Sequence, residues 1–120
     1  MIRNASNGRI ICRNELMARG FFQRLTGMLT RKFSGKLDGI VFENCNTIHT
    51  FGMRFSLDVL FVDRNNVIIK IQKNMAPWKT ASAGIKKCTA IELPAGTADM
   101  VMCKTGDIIE FNDEKQDLIH

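Results

Sequence analysis

The sequence has no long apolar run, no internal repeat and no low-complexity linker. A membrane-spanning helix needs about 18 apolar residues. The first apolar run, Ile10-Ile11-Cys12, is too short even for the apolar part of an export signal, which takes about 7–15 residues. A chain of 120 residues buries enough surface for one core and too little for two. We therefore expect a cytoplasmic protein with one globular domain over residues 1–112 and a polar tail over residues 113–120.

Familiar metal and cofactor motifs are also absent. No P-loop, G-x-G-x-x-G, H-E-x-x-H or G-x-S-x-G pattern occurs. The sequence has four cysteines, none of them in a C-x-x-C pair: Cys12, Cys45, Cys88 and Cys103. A zinc site needs three or four ligands, and the only histidine besides His49 is His120. The sequence therefore predicts no metal and no cofactor, and it predicts reduced thiols that are mostly small buried hydrophobes.

Basic side chains are concentrated near the start of the chain. The whole sequence holds 17 Lys and Arg against 12 Asp and Glu, a net charge of +5. Residues 1–36 hold eight of the basic side chains and one acid, Glu15. Such an end would attract nucleic acid or another anionic partner, yet no run of about five like charges is present. A solvated surface whose arginines pair with acids is therefore the favoured interpretation, and nucleic-acid binding ranks below it.

One main helix is predicted over residues 17–32. At about 100° per residue its apolar side chains fall on one arc: Met17, Ala18, Phe21, Phe22, Leu25, Met28 and Leu29. Arg24 and Arg31 are seven residues apart and share a flank of this helix. Because a guanidinium binds a carboxylate through two hydrogen bonds, this pair predicts a site for an anionic ligand.

Short strands are predicted over most of the remaining chain. Asn7-Gly8 indicates a hairpin turn between extended runs at residues 1–4 and 9–13. The other candidate strands cover residues 39–43, 57–63, 67–73, 90–93 and 108–112, and Arg64-Asn65-Asn66 predicts a second hairpin connection. Thr97 is the expected N-cap of a short helix over residues 98–103. The fold class is therefore α+β, with a small bent sheet or partial barrel of mostly antiparallel strands.

Residues 44–53 hold the densest set of reactive side chains. Cys45 and His49 could form a nucleophile and base, which would make the protein a Cys/His-dependent hydrolase or transferase. In an extended segment, however, residues four apart lie roughly 13 Å from each other, beyond hydrogen-bond reach. His49 is then either a structural histidine at the rim of the core or a residue that contacts a ligand.

Two carboxylates are predicted to be buried. Asp58 lies in a strand whose two faces are both apolar, so its charge needs a partner, for which Arg24, Arg31 and His49 are candidates. Asp58 either fixes the fold or marks a site. The same argument applies to Glu92 in its apolar strand.

An aromatic residue, Trp78, lies with Pro77 at the start of a looser stretch over residues 76–89. This stretch contains Lys79, Lys86 and Lys87 and no acid. Trp78 is either a cap that packs on the core or a residue that contacts a ligand or partner.

Together these motifs resemble the bacterial and archaeal family called domain of unknown function 192. The resemblance covers roughly residues 9–112 and is carried by Arg24-Leu25-Thr26-Gly27-Met28-Leu29 with Arg31, Cys45, Ile48-His49-Thr50-Phe51-Gly52-Met53, Leu57-Asp58-Val59 with Phe61 and Asp63, Pro77-Trp78, Glu92-Leu93-Pro94-Ala95-Gly96, and Gly106-Asp107. It implies a compact α+β domain with a bent, barrel-like sheet and implies no activity. Some relatives are thought to lie near genes for pili or secretion, so the resemblance also suggests a protein partner of that kind.

The leading hypothesis from the sequence is a non-enzymatic binding or accessory module. Its site would be lined by Arg24, Arg31, His49, Asp58 and Trp78, and it would take a small anionic ligand or a peptide carboxylate. The alternatives are the Cys45–His49–Asp58 enzyme and nucleic-acid binding through the basic first third of the chain.

Overall fold

The computed structural model describes residues 1–18 and 37–112 of the chain. Strands dominate the secondary structure of this part. The described elements are β1 (Ile2–Asn4), β2 (Ile10–Cys12), β3 (Glu15–Ala18), β4 (Gly39–Phe42), β5 (Thr47–His49), β6 (Leu57–Asp63), β7 (Ile68–Met75), β8 (Thr80–Ser82), β9 (Cys88–Pro94), α1 (Thr97–Met100) and β10 (Ile109–Phe111).

These strands form a central sheet and two smaller ones. The central sheet has five strands in the order β3-β4-β9-β6-β7, a second sheet has the order β10-β1-β2, and β5 pairs with β8. Only β3 and β4 run parallel among the described pairs. The predicted small, mostly antiparallel sheet is confirmed, but over the described ranges the sheets do not close into a barrel. The barrel-like part of the prediction is therefore corrected to open sheets.

Both faces of the central sheet are covered, as the sequence of β6 predicts. Val59 and Phe61 point into one apolar cluster, which also contains Ile48 of β5 and Ala81 of β8. The alternate residues of β6 face a second cluster, to which β1, β2, β10 and α1 contribute. Because side chains alternate along a strand, a doubly buried strand reads as a continuous apolar run. The two-stranded β5–β8 ribbon therefore lies on one side of the central sheet, and α1 lies on the other.

The predicted start of the main helix is wrong. Met17 and Ala18 belong to β3 and pair with Val41 and Phe42 of β4. This pairing buries Ala18 in the core, and such tertiary contacts override helical periodicity. The rest of the predicted helix, residues 19–32, lies outside the described residues, as do Arg24 and Arg31.

The short helix α1 is displaced from its predicted limits. It spans Thr97–Met100, and its N-cap is Gly96 in the left-handed region, so Thr97 is the first helical residue and not the cap. The helix ends early because Met102 adopts a φ of 55°. The Cys103 N–H then bonds Ala98 O, and the Met102 N–H bonds Asp99 O. These two bonds form a Schellman motif, which terminates a helix.

Both predicted hairpins are present. β1 and β2 pair antiparallel, and Gly8 in their connection has a φ of 78°. β6 and β7 also pair antiparallel, and Asn66 in that connection has a φ of 63°. The Asp63 carboxylate accepts the N–H groups of Asn65 and Val67, which stabilises the second turn.

Candidate binding site

Three aromatic rings pack against one another in a row at the end of the β5–β8 ribbon. His49 is the last residue of β5 and pairs with Thr80 of β8. The centroids of the His49 and Phe51 rings are 4.9 Å apart, and those of Phe51 and Trp78 are 5.9 Å apart at an angle of 26°. Phe51 is 45% exposed and Trp78 is 68% exposed. We call these three residues the aromatic face. Trp78 therefore does not act as a buried cap on the core.

A buried threonine holds the aromatic face in place. The Thr50 carbonyl accepts the N–H groups of Met53, at 3.2 Å, and of Trp78, at 3.0 Å. The Thr50 hydroxyl accepts the Lys79 N–H at 2.9 Å and donates to the Ala76 carbonyl at 2.6 Å. Thr50 is fully buried. One side chain thus joins the segment that carries Phe51 to the segment that carries Trp78.

The backbone of Trp78 is strained. Trp78 has a φ of 63°, in the left-handed region that a bulky residue rarely adopts. Such a conformation costs on the order of 1–3 kcal/mol and persists only where the surrounding structure enforces it. The hydrogen bonds from the Trp78 and Lys79 amides to Thr50 supply that enforcement. The result is an exposed indole on a strained, well-supported backbone.

The imidazole of His49 has an unused buried atom. Its Nδ1 has no hydrogen-bond partner within the part of the chain that the structure describes. The His49 ring is half-buried at the inner end of the stack. A buried polar atom without a partner carries a free-energy cost that a ligand or water can relieve.

The second predicted site residue, Asp58, lies elsewhere and has its own partners. Its Oδ1 accepts the Asn74 N–H at 2.8 Å, and its Oδ2 accepts the N–H groups of Gly96 at 3.1 Å and Ala98 at 2.9 Å. Asp58 pairs with Leu93 across the sheet, on the face that packs against α1. The structure therefore does not bring Asp58 and the aromatic face together. Asp58 instead caps α1 from a neighbouring strand.

Glu92 is the other buried carboxylate. It pairs with Val59, on the face of the central sheet that packs against the β5–β8 ribbon. Neither of its carboxylate oxygens has a hydrogen-bond partner among the described residues. Desolvation by burial raises the pKa of Glu92 to about 8. At neutral pH the side chain is therefore mainly a neutral carboxylic acid.

The candidate nucleophile, Cys45, is not bonded to the candidate base. Its thiol donates to the carbonyl of Thr47 at 3.2 Å, while the His49 ring stacks on Phe51. Within residues 1–18 and 37–112, no hydrogen bond links Cys45 with His49 or Asp58. The three side chains therefore form no hydrogen-bonded path along which a proton could pass from Cys45 to His49 and Asp58.

A cavity of about 950 Å³ opens elsewhere on the molecule. Its lining includes Arg13, Glu15, Asp63 and Lys87, so charges of both signs surround it, and it also includes Cys88. None of His49, Asp58 and Trp78 lines this cavity.

The described residues contain no cluster of three or more potential metal ligands. None of the described helices is long and apolar enough to cross a membrane.

Sequence reasoning identified His49 and Trp78 separately, and the structure brings them together through Phe51. It did not single out Phe51 or Thr50, although both lie in the dense polar stretch over residues 44–53. The sequence did contain a signal for these two residues. Thr50 and Phe51 follow His49 directly, and because β5 ends at His49, the next aromatic side chain, Phe51, is free to be exposed. Arg24 and Arg31 lie outside the described residues, so their part in a site stays a prediction.

Comparison with known proteins gives a consistent assignment. The profile of the family DUF192, described as an uncharacterized ACR, matches residues 3–111. A UPF0127 protein from Thermococcus sibiricus is 30% identical, over 97% of this chain and 77% of its own length. A crystal structure from Sinorhizobium meliloti, described as a candidate transcription regulator, has a TM-score of 0.74 at 23% identity and covers 91% of this chain and 88% of its own. A protein of unknown function from Novosphingobium aromaticivorans has a TM-score of 0.69 at 21% identity, over 81% of this chain and 74% of its own. These two likenesses establish the fold alone.

Proposed function

We propose that this chain, which belongs to the uncharacterised family DUF192, is a non-enzymatic binding module whose aromatic face takes a small anionic ligand that carries a flat ring. The observation that carries the proposal is the cluster of His49, Phe51 and Trp78, in which Phe51 and Trp78 are exposed and which the buried Thr50 holds in place. The absence of a hydrogen-bonded relay between Cys45 and His49 in the described residues gives the enzymatic alternative no support.

Exposure of the rings supports a binding role. Aromatic side chains gain free energy when they leave water, so adjacent exposed rings are favourable contact points for a ligand or partner. A planar group that is stacked on such a platform contributes about 1–3 kcal/mol of binding free energy. The strained backbone of Trp78 indicates that the indole is held in an exposed position at a cost to stability.

The charge around the aromatic face supports an anionic ligand. Residues 44–57 and 74–91 contain no Asp or Glu, whereas they contain four basic residues that are all exposed: Arg54, Lys79, Lys86 and Lys87. Lys70 of β7 reaches the same ribbon, where its ammonium donates to the Ser82 carbonyl at 2.7 Å. A surface with charge of one sign attracts ligands of the opposite sign. Lys79 directly follows Trp78, so ring stacking and positive charge occur together at the aromatic face, whereas Lys70 and Lys87 lie toward the other end of the ribbon.

The test uses adenosine 5′-monophosphate as the probe, with adenosine and inorganic phosphate as separate arms. The protein has a single tryptophan, Trp78, so its fluorescence reports directly on the aromatic face. We expect the monophosphate to change this fluorescence and to bind more tightly than either arm, with an affinity that falls as salt rises. Phe51→Ala should raise the dissociation constant about tenfold, because one stacking partner is lost.

The matched control is Phe111→Ala. Phe111 is also an exposed aromatic residue, but it lies in β10 of the three-stranded sheet. Trp78→Ala removes the single tryptophan and with it the fluorescence signal, so ligand binding by this variant is measured by calorimetric titration. The proposal fails if the monophosphate leaves the wild-type fluorescence unchanged, or if Phe111→Ala weakens binding as much as Phe51→Ala does. Far tighter binding of a single-stranded oligonucleotide would also overturn it, in favour of nucleic-acid binding.

A further inference from the structure

Two of the four cysteines lie next to each other on separate segments of the chain. Cys45 belongs to the connection between β4 and β5, and Cys88 is the first residue of β9. The Cys45 N–H donates to the Cys88 carbonyl at 2.9 Å. The Cys88 thiol donates in return to the Cys45 carbonyl at 3.2 Å. Two hydrogen bonds therefore hold the residues side by side.

This contact fixes how far apart the two backbones can be. Standard bond lengths and the 2.9 Å hydrogen bond limit the distance between the Cα atoms of Cys45 and Cys88 to about 6.8 Å. Disulfides form where this distance is about 4.4–6.8 Å. The Cys45 charge also contributes to the raised pKa of Cys88, after burial, which is the larger cause. The pair thus meets the distance requirement for a disulfide.

The other two cysteines have different surroundings. Cys12 and Cys103 are buried in the apolar cluster on the opposite side of the central sheet. Burial is the main cause that raises the pKa of each of these thiols above its ordinary value, which keeps them in the unreactive neutral form. Cys45 is only half-buried, and Cys88 lines the cavity. Cys45 is therefore the thiol that a small oxidant reaches first, and Cys88, although buried itself, is the cysteine next to it.

We propose that Cys45 and Cys88 form a reversible disulfide when the protein meets a hydroperoxide. The Cys45 thiolate attacks the peroxide oxygen, the O–O bond breaks, and a sulfenic acid and an alcohol (or water) result. The Cys88 thiol then attacks the Cys45 sulfur, an S–S bond forms, and water leaves with the sulfenic oxygen. Two thiols lose two electrons and two protons in total, and the peroxide is reduced. A dithiol reductant reverses the reaction.

The bond would tie the β4–β5 connection to the first residue of β9. That connection leads directly into β5, whose last residue is His49 of the aromatic face. Oxidation would therefore limit the motion of the ribbon relative to the central sheet. This modification does not depend on the proposed ligand.

The test treats the purified full-length protein with stoichiometric hydrogen peroxide, blocks the remaining thiols with N-ethylmaleimide, and measures intact and peptide masses. We expect two N-ethylmaleimide adducts instead of the four on untreated protein, a peptide cross-link between Cys45 and Cys88, and reversal by dithiothreitol. Cys45→Ser should abolish the cross-link. Cys88→Ser should leave a sulfenic acid at Cys45 that dimedone traps.

Cys12→Ser is the matched control and should retain the full cross-link. Thermal unfolding of each reduced variant shows that it is folded before oxidation. Monomeric protein that keeps four alkylated thiols after peroxide treatment would overturn the proposal. Cross-links that involve Cys12 or Cys103, or that join separate molecules only, would overturn it as well.

Discussion

Asp58 and Glu92 are two carboxylates on adjacent strands of the same sheet, and each is 1% exposed. Asp58 accepts three backbone N–H groups, whereas both oxygens of Glu92 lack a partner among the described residues. Asp58 faces α1, and Glu92 faces the side of the β5–β8 ribbon. Two equally buried carboxylates therefore differ in chemistry. Asp58 is a hydrogen-bond acceptor whose backbone donors join three segments of the chain, and Glu92 is a neutral acid in an apolar layer.

The difference shows that burial alone does not identify a functional carboxylate. The hydrogen bonds of Asp58 satisfy the first-turn amides of α1 and the left-handed Asn74, so its chemistry is used inside the fold. Glu92 has unused hydrogen-bonding capacity, and desolvation raises its pKa to about 8. Three substitutions separate these two roles.

The largest expected effect is from Asp58→Ala. The change leaves three backbone N–H groups without their acceptor, and loss of such a buried network costs about 3–5 kcal/mol of unfolding free energy. Urea denaturation measures this loss. Asp63→Ala is the matched control on the same strand, because Asp63 accepts two N–H groups at the half-buried start of a turn. Its loss should be about 1 kcal/mol, and equal losses from the two variants would remove the distinction.

The second effect is a pH dependence that Glu92→Gln removes. Below pH 4.5 the carboxyl is protonated in both folded and unfolded chains, and the raised pKa therefore adds no penalty. As the pH rises from 4.5 to about 8, the unfolded chain loses this proton first, so the stability of the folded state falls. The fall amounts to about 3–5 kcal/mol, and it ends once the folded carboxyl also ionises.

Urea denaturation of the wild type and Glu92→Gln at pH 5 and pH 9 measures this difference. We expect the variant to be close to wild type at pH 5 and more stable at pH 9. A difference between the two proteins that is the same at both pH values would show that folding does not raise the pKa of Glu92. The contrast with Asp58 would then be lost.

The smallest effect is expected from Gly96→Ala. Gly96 donates its N–H to Asp58 at a φ of 94°, and no atom lies within 4 Å of the position that an added Cβ would take. The cost is therefore the backbone strain alone, about 1–2 kcal/mol. Thermal unfolding measures it. A cost as large as that of Asp58→Ala would mean that the cap depends on the glycine as much as on the carboxylate.

The accuracy of the sequence predictions follows how local each signal is. The bounds of β6 were predicted correctly because seven consecutive residues carry the apolar pattern. β3 was missed because its extended form depends on pairing with β4, more than twenty residues away along the chain. β5 and β8 were missed because each has a single apolar side chain between polar ones, which gives no apolar run to recognise. Thr97 was assigned as a cap from its residue type, but the acceptor is Asp58 of a different strand.

The same rule applies to the candidate site. His49 and Trp78 were predicted individually, since an imidazole and an indole in polar stretches are distinctive in the sequence. Their meeting through Phe51 depends on backbone hydrogen bonds to Thr50, which residue types do not reveal. Asp58 was correctly expected to be buried and to need a partner. The partners are main-chain amides, and every sequence position other than proline supplies one.

Strand β1 pairs with β10, with Ile2 opposite Phe111. Contacts between positions so distant along the chain form slowly, because a very large loop must close before any pairing energy is gained. The β6–β7 hairpin has no such delay, since its strands are joined by a four-residue connection. We therefore expect refolding to begin around this hairpin and to finish when β1 pairs with β10 in the three-stranded sheet.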